Sequence, residues 1–304
     1  MPRLATPPRP VDSTASAPPF EEGLLESARA SDNCDLLCDV MTRTLTLPDA
    51  EHEQFPTPPL KVMLGQVRFP AILKIAEPAG LAPFQEEIRE EYSEYSEEQQ
   101  LSLAVGPEGM SAAGESRNYR FTTTDGAWSV VLNPMFLTLE ASIAKKYSNY
   151  QEFRDRFAHL WDVALRHLRP TKSVQQGLRY IDFFDWDDVA PAEWGRYINA
   201  HLLGVLGAEN IVEHVQHTLT DTRLQLTSEM GLSLKYGLVR SGPENAVGFL
   251  MDTDCLSQAP QEDVSVEAIL SRFDSFHDEI HVLFHWAVTP EAKERFRGGS
   301  ASSH

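Results

Sequence analysis

The chain is short of cysteine, of positive charge and of long apolar runs, and each shortage excludes something. Cys34, Cys38 and Cys255 are the only cysteines among 304 residues. An odd, sparse set does not make a disulfide framework, so a reducing, cytoplasmic setting is expected. Cys34 and Cys38 stand at i,i+4 with no second pair to complete a zinc site. Lys and Arg number 26 against 45 Asp and Glu, a net charge of −19. Binding to a phosphate backbone rests on cationic contacts, so nucleic acid is not the expected partner. No apolar stretch reaches the ~20 residues that span a bilayer. Arg3 and Arg9 have no apolar segment behind them, so no signal peptide is expected. The sequence also holds no G-x-G-x-x-G, P-loop, G-x-S-x-G, H-E-x-x-H or paired C-x-x-C, and no nucleophile stands beside a local base.

Residues 1–56 read as a leader. The Pro-, Ala- and Ser-rich stretch 1–22 is too poor in apolar groups to offset chain ordering, so disorder is expected there. Within the leader, 31–45 carries Cys34, Leu37, Cys38, Met41 and Leu45 at helical spacing behind a possible Ser31 or Asp32 cap. Such a short amphipathic segment is either a flap on the body or a docking peptide, with Leu37, Met41 and Leu45 as its contact residues. As a docking peptide it should be removable, 1–56 included, with little change in the melting temperature of the rest.

The body divides at about 170. Residues 57–170 predict a strand over 60–69, extended through 72–75, and a helix opening at Pro83 with Phe84, Ile88, Tyr92 and Tyr95 inward. Glu86, Glu87, Glu90, Glu91 and Glu94 form its solvated face. A small-residue loop follows over 104–116, then a hairpin across Asp125-Gly126 and a strand over 136–142. A long helix over 149–168 carries Phe153, Phe157, Leu160, Trp161, Ala164 and Leu165. Residues 171–295 repeat the order: a strand over 173–184, a helix over 191–206, strands over 212–219, 223–227, 232–239 and 247–252, and a long helix from Ser265. Residues 296–304 read as a disordered tail.

Each half therefore reads β-α-β-β-β-α. Arg68-Phe69 and Arg179-Tyr180 lie 111 positions apart, and Arg156-Phe157 lies 116 before Arg272-Phe273. An α+β fold is expected, with the duplicated halves joined in one saddle-like antiparallel sheet of pseudo-twofold symmetry, covered on one face by the long helices.

LKVMLGQVRFP, WSVVLNPMFLTLEAS, YSNYQEFRDRFAHLW, GLRYIDFF and FHDEIHVLFHWAVTPE together carry a resemblance. Over about residues 57–295 the chain resembles a sporadically distributed bacterial family of proteins that has no assigned activity. The resemblance speaks to fold, and the patchy distribution suits an accessory role in defence or genetic conflict.

Three groups of residues invite chemistry. His277, His281 and His285 stand at i, i+4 and i+8 on the last long helix, where two aligned imidazoles can share Zn²⁺; lacking an acidic or cysteine partner, they are expected to bind none. Asp182, Asp185, Asp187 and Asp188 end the GLRYIDFF strand, and turn capping and solvation are expected of them rather than Mg²⁺ or Ca²⁺ binding. Asp252 and Asp254 stand likewise. Arg68 and Arg179 sit among apolar strand neighbours, where a half-buried guanidinium needs a carboxylate; an anion or partner site on the pseudo-twofold axis is the alternative. The reading is a non-enzymatic protein-interaction module with a protein partner and no cofactor. A hydrolase or phosphate-processing enzyme using the sheet cavity is the first alternative, and nucleic-acid binding across the saddle the second.

Overall fold

The computed structural model describes residues 44–48, 50, 51, 53–106, 109–143, 149–241 and 246–298. Leu37, Met41 and most of the 31–45 stripe lie outside these residues, as do 299–304. The fold is mixed α+β, built on one antiparallel sheet of nine strands. Strand β1 (Leu60–Arg68) is followed by a 3₁₀ turn, Leu73–Ala76, where the sequence predicts more strand, and then by helix α1 (Pro78–Ile88). Strands β2 (Glu94–Gly106), β3 (Gly109–Thr122), β4 (Trp128–Asn133) and β5 (Phe136–Ser142) form a meander leading to helix α2 (Tyr150–His167). Strand β6 (Gln175–Phe184) opens the second half. It is followed by β7 (Thr220–Gln225), β8 (Met230–Ser241), β9 (Ala246–Ser257), helix α3 (Val266–Ala287) and helix α4 (Pro290–Phe296). The order across the sheet is β2-β3-β4-β5-β1-β6-β9-β8-β7, so the strands that open the two halves pair at its centre.

Strand periodicity decides which face is covered. Met63, Gly65 and Val67 are buried on one side of β1, with Phe69 just beyond its end, and their cross-strand neighbours Tyr180, Leu178 and Gln176 share that side. Helices α2 and α3 lie on this face. Gly65 is where both touch down: a Cβ there would stand 2.4 Å from Phe153 Cζ and 3.3 Å from Phe273 Cε1. The aromatic stripe of α2 continues over the sheet, Phe157 edge-on to Phe273 with ring centroids 4.7 Å apart and Trp161 beside Phe69 at 6.3 Å. Asn149 caps α2 by accepting from Glu152 N–H, and Ser265 caps α3 by accepting from Ala268 N–H, which fixes where each helix begins.

Several expectations are corrected. The span 104–116, read as a small-residue loop, falls largely in the β2–β3 hairpin. The first helix begins at Pro78, and Glu94 and Tyr95 belong to β2 rather than to the helix. The helix read over 191–206 is instead a chain of 3₁₀ turns: Pro191–Arg196, Ala200–Leu202 and Gly204–Gly207. Trp194, Ile198 and Leu202 are buried as the pattern requires, but Val205, which helical spacing also turns inward, is exposed; Asn199 starts a new turn by accepting from His201 N–H, and Gly204 takes φ +50°. Side-chain capping and left-handed glycine both compete with a continuous helix. Val212–His214 is a further 3₁₀ turn, and the edge strand starts only at Thr220. Helix α4 ends on the buried Phe296, inside the span read as tail.

The described part of the leader packs on α3 and α4. Leu45, Leu47 and Phe55 lie against the core, and Phe55 stacks near Phe284, His285 and Phe296. Glu279, 2% exposed, accepts from the backbone N–H groups of Thr44 (2.5 Å) and Leu45 (3.2 Å). Arg297 grips Glu53 with Nε and Nη2, both at 2.5 Å, and Thr57 N–H donates to Phe296 O. From these contacts, a loss of stability on removal of the leader is expected.

Candidate functional site

Where the leader meets the sheet it roofs a cavity of about 660 Å³. Residues 53–56 and 58–60, helix α3, the first turn of α2 and Tyr180 and Asp182 at the end of β6 line it. Three of the four residues over 56–59 are proline, which offers no N–H to leave unpaired against such a space.

All three histidines predicted from helical spacing line this cavity. His277 is held on two sides. Its ring lies flat on Tyr150, centroids 3.8 Å apart and planes 6° from parallel, and its Nδ1 shares a 2.9 Å hydrogen bond with the Tyr180 hydroxyl. His281 and His285 follow with centroids 4.4 Å apart. The Tyr150 hydroxyl donates to Asp274 Oδ1 at 2.9 Å, and Arg154 binds the same carboxylate from behind, Nε at 2.9 Å and Nη2 at 3.1 Å. Burial pushes the Tyr150 phenol pKa up, and the Asp274 charge adds to this, so Tyr150 stays a neutral donor. Among the described residues no group of three or more His, Cys, Asp or Glu is arranged to hold a metal ion. No helix among them is long and apolar enough to cross a membrane.

Asp182 is the residue whose reading changes most. Turn capping and solvation are expected of it and its neighbours; the neighbours are solvated and ion-paired, Asp185 with Lys61 at 3.0 Å and Asp188 with Arg295 at 2.6 Å, but the turn that follows starts at Ala190 with no side-chain cap. Asp182 is 4% exposed, lines the cavity, and has no hydrogen-bond or ion-pair partner among the described residues. Burial raises its pKa to about 8, with nearby Asp252 adding and Lys61 opposing. A register shift between Leu60 and Val62 places Leu60 opposite Asp182 while Lys61 turns to Asp185. The signal for its burial lay in the alternation Leu178, Tyr180, Asp182, Phe184, which puts the carboxyl on the helix-covered face.

Arg68 and Arg179 do not come together. Both are on the face away from the helices, but Arg68 pairs across with Gln175 and Arg179 with Leu64, four residues along the ladder. Arg179 makes a bidentate bond to Asp252, Nε to Oδ1 at 2.7 Å and Nη2 to Oδ2 at 2.6 Å. Asp252, expected in a turn, is buried within β9. Arg68 has no ion pair among the described residues and stays half-buried. Of the proposed docking residues, only Leu45 is described, packed against the core. Tyr150, Asp274, Asp278 and Glu53 enter the cavity from elements whose meeting the sequence does not announce. Comparison of the chain with protein-family models, curated proteins and solved structures finds no match.

Proposed function

We propose that the protein is a non-enzymatic interaction module whose recognition element is the cavity under the leader, receiving a group presented by a protein partner. We also propose that its two halves are diverged copies about a pseudo-twofold axis. Gln66 lies opposite Gly177, the residue 111 positions further along, so the repeat spacing maps each central strand onto its own partner. Strands β5 and β9 flank this pair on its two sides.

The observation that carries the functional reading is what divergence has done at the cavity. At the spacings of 111 and 116, Tyr180 and His277 stand where Phe69 and Trp161 stand in the first half. Phe69 and Trp161 form an apolar contact at 6.3 Å, and Tyr180 and His277 form a polar one at 6.0 Å. One end of the helix seam is filled with indole, while the other end holds a cavity with hydrogen-bonding walls. A core needs only the first arrangement; polar groups held around a space of this size are how proteins build ligand sites. Binding is favoured over turnover by how the polar wall groups are engaged: Tyr150 donates to Asp274, Arg154 holds that carboxylate from behind, and Tyr180 bonds His277.

The hydrolase alternative draws on one specific feature: a buried acid, Asp182, that retains its proton to about pH 8 in the same cavity as three imidazoles.

The test is affinity purification from the native host with the full chain and a Gln151→Trp variant in parallel. Gln151 lines the mouth from the surface of α2, so an indole there blocks the cavity without entering the core. A partner held by the wild type should be lost with the variant. Equal capture by both would place recognition elsewhere.

A further inference from the structure

We propose that the cavity takes a protonated amine, with Asp182 as the counter-ion that receives it. This rests on the cavity being a recognition site and adds the chemistry of the group recognised.

Charge on the lining is one-sided in its fixed groups. Glu53, Asp182, Asp274 and Asp278 face the space, and among the described lining residues there is neither Lys nor Arg. Two of the four carboxylates are already neutralised from outside the cavity, Asp274 by Arg154 and Glu53 by Arg297. Asp182 is different. It is buried, aimed into the cavity, and without a hydrogen-bond or ion-pair partner among the described residues. A buried carboxyl left in this way loses solvation and gains nothing in return. An ammonium supplies what it lacks: an opposite charge and up to three donors. The walls suit the same ligand. Phe55, Tyr180 and Phe284 bring aromatic rings to the wall, and aromatic faces attract cations, while the Tyr150 ring is already stacked on His277. An anionic ligand would meet four carboxyl groups. A metal ion would need ligands that, among the described residues, do not converge. The volume of about 660 Å³ admits an organic cation rather than a bare ammonium ion.

The amine has two possible sources, a lysine side chain on a protein or a free small molecule. Both are addressed by titrating the full chain at about pH 8.5, above the ordinary imidazole range. The probes are benzylamine, benzyl alcohol, benzoate and Nα-acetyl-lysine amide, read by calorimetry and protein NMR. Benzylamine should bind at least about tenfold tighter than benzyl alcohol, and benzoate should not bind, since only the amine gains the charge-assisted bond. Tighter binding of the lysine amide than of benzylamine assigns the group to a protein partner, and the reverse order assigns it to a small molecule. Asp182→Asn should abolish the preference for the amine while keeping a cooperative melt, and Gln151→Trp should weaken all binding. Preference for benzoate, no binding of either amine, or unchanged amine affinity in Asp182→Asn would each overturn the proposal. If the amines fail but Gln151→Trp still loses the host partner, the cavity remains a recognition site for another chemistry. If the amines bind but host capture is unaffected, the interaction reading fails and the amine site stands.

Discussion

At the scale of single residues, the charges within the sheet divide into those that are paired among the described residues and those that are not. Arg179 is satisfied: its bidentate partner Asp252 is buried, and Asp254 lies directly across the ladder. Burial raises Asp254 to about pKa 7 even with Arg179 opposing. Removing the guanidinium leaves two carboxyl groups in a poor solvent, so Arg179→Ala should destabilise by ~2–4 kcal/mol. Arg68→Ala, with no ion pair to break among the described residues, should lose under about 1 kcal/mol. Urea denaturation of the two variants separates them, and equal losses would show that the pair does not matter. Asp182 is unpaired among the described residues and stands in the wall of the cavity. Its folded pKa of about 8 lies above the ordinary value of about 4, so the folded state holds the proton more tightly than the unfolded chain. Stability from this site is therefore full below about pH 4 and is lost as pH rises through about 8. Asparagine does not titrate, so Asp182→Asn should gain on the wild type across that window by a few kcal/mol, at about 1.4 kcal/mol per tenfold difference in proton affinity. Asp254 titrates in both proteins and cancels. Urea curves at pH 5 and 8.5 measure the gain, and a difference independent of pH would refute the assignment.

Among the elements, what was legible followed periodicity, and what was not followed local competition or long-range meeting. Helices α2 and α3 announce themselves through aromatic stripes, an Asn149 or Ser265 cap, and Pro170 beyond the end of the first. The His277, His281, His285 ladder was legible as one helix face for the same reason. The 191–206 segment has helical spacing too, yet Asn199 and Gly204 break it into 3₁₀ turns, because caps and glycine act over two or three residues and outweigh a weak stripe. Tyr150 meeting His277, or Glu279 receiving the leader, depends on chain separations of more than 100 residues, on which local pattern is silent. That leader contact has a measurable consequence. Deleting 1–56 leaves the buried Glu279 carboxylate without its N–H partners and uncovers Phe284 and Phe296. We expect a loss of ~2–3 kcal/mol, or about 5–10 °C in melting temperature. In the truncated protein Glu279→Leu should recover part of the loss, whereas in the full chain it should not. An unchanged melting temperature on truncation would mean that the leader rests on α3 without holding it.

For the whole molecule, the decisive fact is that the two halves meet along their first strands. Strands β1 and β6 are the central pair of the sheet, and the aromatic residues of α2 and α3 cross the seam above them, meeting over Gly65. A half alone would expose β1 or β6 as a long apolar edge and strip one side from its covering helix, and both are conditions for aggregation rather than folding. The halves are therefore not expected to fold as independent domains. The cavity follows the same logic, since its floor comes from β6, one wall from α2 and another from α3. We expect one calorimetric transition for the intact chain, with the van't Hoff and calorimetric enthalpies in agreement. Residues 1–170 and 171–304 made separately should each lack a cooperative melt. Made together, they should associate through the β1–β6 ladder and recover amine binding along with the fold, because no residue of the site is lost by cutting near 170. A Gly65→Val change should block that association, since the added carbons fall on Phe153 and Phe273 where the two helices close over the seam. Either half melting cooperatively by itself, or two resolved transitions in the intact chain, would show that the seam joins two finished domains and that the central ladder is an interface rather than the core.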